Sequence, residues 1–351
     1  MPAGVLAFVI ALFASLMLTV PVRALALRVG MVDLPGPRKV HLQPIPLLGG
    51  LAMYGGIMLA ILFALDGPAR AQSAGIVTGA TLVAAVGFLD DRGWLHHQVK
   101  LFLAMPMAAG VLLASGVHAQ VFELLLRGHI GSLLDAALTV FWVVGVTASF
   151  SILDHMDGLC AGVAAMASIF FAMLAYLNGQ TLVTTLAAAV LGGATGFLRW
   201  NFKPAKIFMG DGGAMFLGFL MATLGLKLRL DHANHLSGWL APLLILGVTI
   251  FDTTLVTISR SRRGLLPFTT PGKDHTAHRL ANLGWGQRGA VLGLYALGAL
   301  SGGAAILVAY LPPAGAAMAA ISAAALFFVG VAQLERAPYE AQVRKQAAQG
   351  T

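Results

Sequence analysis

Charge is scarce in this sequence. Only 10% of its 351 residues are Asp, Glu, Lys or Arg, against about 25% in a soluble globular domain. That shortage, beside 58% hydrophobic residues, excludes a water-soluble domain and places the chain in a lipid bilayer. Cysteine is nearly absent as well. Cys160 stands alone, which rules out an internal disulfide and says little about compartment. There is no Walker loop, so ATP hydrolysis is not indicated. Internal repeats and low-complexity segments are missing too. The net charge of +8 does not imply nucleic acid, because the cations lie in short loops between apolar runs and form no basic domain.

What the sequence does have is long apolar runs. A membrane helix needs about 20 such residues. Eleven segments qualify, near 4–27, 47–65, 73–89, 98–116, 133–152, 158–177, 181–199, 213–230, 236–258, 289–310 and 314–334. They predict an all-α integral membrane protein, a polytopic bundle of about 10–11 transmembrane helices. Residues 1–334 are expected to form one polytopic domain, and 335–351 a polar cytoplasmic tail. The first run resembles a signal peptide ending in "ALA" at 24–26. No Lys or Arg precedes it, however, and it exceeds the usual core of about 7–15 residues. It is read as a retained helix.

The charges divide unevenly between the two sides of such a bundle. All but four of the 22 basic residues (Arg70, Arg127, Lys227 and Arg229) fall on the side that carries the loops after helices 1, 3, 5, 7 and 9. The positive-inside rule makes that side cytoplasmic and puts the N-terminus outside. The same side holds Asp33, Asp90, Asp91, Asp154, Asp157, Asp211, Asp252 and Asp274. Orientation does not require aspartates. Acid, base and imidazole gathered on one face therefore suggest a site assembled from several loops.

Five stretches carry the chemistry. "VDLPGPRKVHLQPIPLLGG" (32–50) presents Arg38, Lys39 and His41 at the membrane surface; a plain cationic anchor is the alternative. "GFLDDRGWLHHQVKLFL" (87–103) pairs Asp90 with Asp91 and sets Lys100 inside the next apolar run. Adjacent carboxylates repel, so one is protonated or a cation sits beside them. Mg²⁺ suits such a pair together with substrate phosphates, although solvated helix-end aspartates would look the same. Lys100 either serves function or snorkels to the surface. In "SILDHMDGLCAGVA" (151–164), Asp154 and Asp157 would share one face if helical. "WNFKPAKIFMGDGGAMFLGF" (200–219) sets Asp211 among glycines before a helix, with Lys203 and Lys206 nearby, a pattern suited to phosphate. In the long basic loop 258–289, His275, His278 and Arg279 follow Asp274. No third zinc ligand is obvious, and phosphate contact fits the arginines better. Together these residues predict phosphoryl transfer between a nucleotide-type donor and a lipid.

The motifs "DLPGPRKVH" with "PLLGG", "GFLDDRG" followed by Lys100, "DHMDGLCAGVA", "NFKPAKIFMGDGG" and "FDTTLVTISR" leading into "DHTAHRL" occur in that order. In this the chain resembles the polyprenyl-phosphate N-acetylhexosamine-1-phosphate transferases. The resemblance implies transfer of a sugar 1-phosphate from a UDP-sugar to undecaprenyl phosphate at the bacterial inner membrane, with release of UMP. It also implies Mg²⁺ as cofactor, with Mn²⁺ as a substitute. Carried over by motif, Asp211 is the metal ligand, joined by Asp91. Asp90, Asp91, Asp154, Asp157, His275 and His278 form the catalytic set. Arg38, Lys39, His41, Lys100, Asn201, Lys206 and Arg279 bind substrate. Asp90 is the candidate base for direct attack, and a two-step aspartyl-phosphate route stays open. A homodimer is likewise an open state.

The chain departs from the family pattern at several positions. Ala148 and Ser151 stand where the third motif has asparagines, Ala277 where a third histidine is frequent, Leu47 where a polar residue is common and Gly36 where asparagine is frequent. An inactive paralogue is one alternative built on these departures. A secondary transporter is another, since intramembrane Asp, His and Lys relay protons. Transporters place such groups near the midplane, often in repeated halves, and this sequence does neither.

Overall fold

The computed structural model describes residues 2–35, 43–95, 97–126, 128–230, 234–267 and 272–339. Among them the chain is all-α apart from one antiparallel pair of two-residue strands. It packs as two compact units, residues 1–229 and 230–351.

The first unit begins with α1 (Ala3–Arg28). Strands β1 (Val32–Asp33) and β2 (Ile45–Pro46) follow, paired Val32 to Pro46 and Asp33 to Ile45. Then come α2 (Gly49–Ala64) and α3 (Gly67–Asp91). The short α4 (His97–Val99) runs through a π-helical turn at Lys100–Ala104 into α5 (Met105–Ala114). The unit continues with α6 (Phe122–Leu125), α7 (His129–Leu153), α8 (Leu159–Leu177), α9 (Thr181–Asn201) and α10 (Gly210–Lys227). The second unit comprises α11 (His235–Ile245), α12 (Gly247–Arg262), α13 (Thr276–Leu280), a π-helical turn at Ala281–Trp285, α14 (Gly286–Ala309) and α15 (Pro313–Glu335).

Each of the eleven expected segments carries a helix, but the helices differ in length. Among the described residues, seven stretches are long and apolar enough to cross a bilayer: Ala3–Arg28, Gly67–Asp91, His129–Leu153, Leu159–Leu177, Thr181–Asn201, Thr276–Ala309 and Pro313–Glu335. The segment 236–258, expected as one helix, is α11 and α12 bent by 71°. Pro242 lies in the last turn before the bend, where a ring nitrogen cannot donate to the helix ladder. Helix α2 and the stretch Lys100–Ala114 are shorter apolar helices. The protein is a multi-pass membrane protein. Phe13 and Met17 on α1, and Met318, Ile321 and Leu326 on α15, are exposed; hydrocarbon rather than water suits such faces.

Helix α10 is the axis of the first unit. It packs against α2, α3, α7, α8 and α9, and nearly all its residues are buried. Glycine makes its closest approach possible. A Cβ on Gly87 of α3 would lie 2.5 Å from the Gly212 Cα, so any side chain there would drive the two backbones apart. Because Gly87 sits one turn before Asp91, this contact brings the aspartate pair to the start of α10. The base of the β1–β2 hairpin is stitched to the same place: Phe208 N–H donates to Pro46 O at 2.9 Å, and Gly49 N–H to Phe208 O at 2.8 Å.

Candidate active site

In the first unit, three separate stretches converge on the start of α10. The Asp91 carboxylate accepts the Asp211 N–H at 2.7 Å and the Gly212 N–H at 3.1 Å. A helix leaves its first N–H groups without partners, and an anion satisfies both them and the helix dipole. Gly210 has φ +73°, and a Cβ there would meet Asp91 Oδ2 at 2.4 Å; glycine is required on both grounds. Asp90, on another side of the same turn, accepts from Lys100 Nζ at 2.7 Å. Lys100 opens the π-helical turn and also pairs with Asp211. The second Asp211 oxygen accepts from Ser151 Oγ at 2.5 Å.

Asp154 and Asp157 do not stack on a helix. Helix α7 ends at Leu153, and the two aspartates lie in the turn before α8, whose cap Gly158 has φ +78°. Burial, reinforced by the charges of Asp211, Asp91 and Asp157, pushes the Asp154 carboxyl well above the usual carboxylate range. Asp157 accepts the Ala205 N–H at 3.1 Å. Asn201 is buried and ties two motifs together: it accepts from Gly158 N–H at 3.0 Å and donates to Ile207 O at 3.0 Å. Lys206 is exposed, with its ammonium 5.6 Å from the Trp200 ring centre. Arg38, Lys39 and His41 lie outside the described residues.

The carboxylates of this cluster outnumber its ammonium. Asp90 and Asp211 both pair with the Lys100 ammonium, Asp91 sits on the Asp211 and Gly212 N–H groups, and Asp154 feels the charges of Asp211 and Asp91. Oxygen donors in excess of local positive charge are the set that suits a hard divalent cation such as Mg²⁺.

The second unit holds a separate polar cluster. His275 Nδ1 lies 2.9 Å from Asp252 Oδ2, and Thr276 N–H donates to Asp252 Oδ1 at 2.7 Å. Arg260 directs an N–H at His275 Nε2 over 3.3 Å, so Nδ1 is the nitrogen that carries the proton to Asp252. The His278 ring centre is 6.2 Å from that of His275. Asp274 is gripped by Arg260 at 2.8 and 3.1 Å and by Arg263. Burial would raise this carboxyl, but the Arg260 hydrogen bond and charge, then Arg263, outweigh it and hold the group at about 2. Arg279, expected at substrate phosphate, is fully buried with its N–H groups directed at protein acceptors.

Three contacts escaped the sequence reading. Ser151 stood out only as a departure from pattern, yet its hydroxyl holds Asp211. Asp252 reads in the sequence only as one of the aspartates on the cytoplasmic side, whereas the structure makes it the partner of His275 and Thr276, as suits an ionisable residue inside an apolar run. The grip of Arg260 and Arg263 on Asp274 had no local signature.

Known proteins are similar to this chain over most of its length. The model of glycosyl transferase family 4 matches residues 73–229, the stretch from α3 to the end of α10. A probable undecaprenyl-phosphate N-acetylglucosaminyl 1-phosphate transferase from Bacillus subtilis (strain 168) is 36% identical over 297 residues, covering 84% of this chain and 82% of the relative. The decaprenyl-phosphate N-acetylglucosaminephosphotransferase of Mycobacterium tuberculosis H37Rv is 34% identical over 361 residues, covering 94% and 87%. The undecaprenyl-phosphate alpha-N-acetylglucosaminyl 1-phosphate transferase of Escherichia coli K12 is 26% identical over 302 residues, covering 82% and 79%. With that identity sustained over most of both chains, this protein belongs to glycosyl transferase family 4.

Proposed function

We propose that this protein transfers an N-acetylhexosamine 1-phosphate from a UDP-sugar to undecaprenyl phosphate. The products are UMP and a polyprenyl-diphosphate-linked sugar that starts a cell-envelope glycan. The observation that carries this reading is the convergence of Asp90, Asp91, Lys100, Asp154 and Asp211 from four stretches of the first unit. The relatives' names support a polyprenyl-phosphate acceptor. The charge asymmetry supports a site on the cytoplasmic face of the inner membrane, with the N-terminus outside.

Asp211 and Asp91 would hold Mg²⁺, with Mn²⁺ as a substitute; bound there, the ion supplies neutralisation of diphosphate charge. The protein's own groups do the rest. Lys100, fixed between two carboxylates, presents a positive charge to the transferring phosphoryl group. Asp90 accepts the proton that remains on a fraction of the acceptor phosphate, whose second pKa is about 6. The freed acceptor oxygen attacks the β-phosphorus of the UDP-sugar. The bond from that phosphorus to the α-phosphate oxygen breaks, and UMP leaves with the electron pair. Catalysis of this kind is mostly positioning and charge neutralisation. Arg38, Lys39 and His41 are proposed phosphate contacts, and His275 and His278 are proposed to serve the same reaction.

Purified protein in nanodiscs, given undecaprenyl phosphate, Mg²⁺ and a panel of UDP-N-acetylhexosamines, should release UMP. Asp211→Asn should nearly abolish that release with thermal stability retained. Absence of UMP release from every donor would overturn the proposal.

A further inference from the structure

Arg279 lies on α13, one residue after His278, and its side chain is 0% exposed. A buried guanidinium needs partners for its five N–H donors. Nε donates to Asp274 O at 2.9 Å. One terminal nitrogen donates to Leu334 O at 2.8 Å and to Glu335 O and Ala337 O at 3.2 Å. The other donates to Ser259 Oγ at 2.7 Å and to the Glu335 carboxylate at 3.0 Å. Four of these six acceptors belong to the end of α15 and the residues just after it.

The geometry explains why this cation sits there. The last carbonyls of a helix have no intrahelical partner, and a cation is favoured at that end. Arg279 supplies the missing donors to α15 from 55 residues earlier in the chain. A planar fork can serve carbonyls, a hydroxyl and a carboxylate together, which a lysine ammonium cannot. The same segment is fastened twice more. The Tyr339 ring lies under Arg263 at 4.8 Å and under Arg279 at 5.6 Å. Asn282 donates to Pro338 O at 3.2 Å. Arg263 also grips Asp274, directly before His275.

We infer that Arg279 is a positioning residue, and that residues 334–339 form a C-terminal latch which holds the His275–His278 segment in place through it. Helix α13 continues into α14 only through the π-helical turn at Ala281–Trp285, which breaks at Gly284 with φ +98°, so α14 does not by itself fix the placement of α13. Its histidines keep one placement because Asp252 fixes the front of the segment and the latch fixes its back. The inference for turnover rests on the proposed phosphoglycosyl transfer; the inference for segment order does not.

The test uses full-length protein in nanodiscs and three variants: Glu335→Gln, Tyr339→Ala and Arg279→Lys. Backbone hydrogen exchange over 275–282 is measured first, without substrate, and all three variants should exchange faster there than the parent. UMP release is measured next. A latch predicts a fall in kcat of about tenfold or more, as expected for misplaced catalytic groups, with the donor KM within about twofold of the parent. Glu335→Gln should show this fall although it leaves Arg279 intact. If the chain has a different activity, the exchange result still stands. The inference is overturned if exchange over 275–282 is unchanged in all three variants. It is also overturned if Arg279→Lys raises the donor KM while Glu335→Gln behaves as the parent, the pattern of a direct phosphate contact.

Discussion

Lys100→Met removes the ammonium from the acidic cluster while keeping an unbranched apolar stem. Two unit charges about 4 Å apart attract by about 4 kcal/mol at an effective dielectric of about 20, and Lys100 has two such partners, Asp90 and Asp211. Most of that gross attraction offsets the cost of removing the ions from water. What remains on deleting one partner of a buried pair is about 3–5 kcal/mol. The side chains are 16% (Lys100), 15% (Asp90) and 25% (Asp211) exposed, so the low end applies, about 3 kcal/mol. The assay is the thermal unfolding midpoint in nanodiscs with EDTA, which keeps divalent cations from replacing the ammonium. The Lys100→Met midpoint should fall clearly, and adding Asp90→Asn should recover a substantial part of the loss by removing one stranded carboxylate. A Lys100→Met protein as stable as the parent, or no recovery in the double variant, would refute the reasoning.

Gly87→Ala should lower turnover without touching a charged group. The new methyl would lie 2.6 Å from the Gly212 N and 2.8 Å from the Asp211 carbonyl carbon, and backbone cannot swing aside as a side chain can; parent-level activity would count against the placement of α3 on α10. Asp274 gives an acid-side prediction. Its folded pKa, about 2, lies below the unfolded value of about 3.9, so its contribution to stability is complete above about pH 4 and is lost as pH falls toward 2. A pH–stability scan should show that Asp274→Asn is less stable at pH 7 and has a shallower acid slope; an identical slope would be contradictory. Asp252→Asn leaves one oxygen for two donors, Thr276 N–H and His275 Nδ1–H, at a cost of about 1–3 kcal/mol. Nitrogen-15 NMR of labelled histidine should then show a changed His275 tautomer population, and an unchanged spectrum would argue against the pairing.

The positions of the apolar segments were legible because a bilayer sets a length and hydrophobicity that composition alone reveals. Asp90, Asp91, Lys100 and Asp211 were legible as a set because motif order and charge on one face pointed the same way, and the structure does bring them together. Three-dimensional detail was not legible. Asp154 and Asp157 have the spacing of a helical pair, but the backbone leaves the helical region at Asp154 itself (φ −79°, ψ +56°), where α7 ends. The 236–258 run reads as one span, and only the backbone shows the 71° bend. Arg279 reads as a phosphate contact because nothing local reveals acceptors at residues 334–337. Ser151 illustrates the converse. Comparison by motif marks it as a loss, whereas its hydroxyl still meets the Asp211 carboxylate at 2.5 Å.

The most direct test follows one phosphorus atom. A UDP-N-acetylhexosamine labelled with ³²P at the β-phosphate is incubated with the protein, Mg²⁺ and undecaprenyl phosphate, and the lipid and aqueous products are separated. Transfer of a sugar 1-phosphate puts the label in the lipid together with the sugar and leaves unlabelled UMP in the water. Label left in aqueous UDP beside a lipid that carries only sugar, or no labelled lipid from any donor, would contradict it.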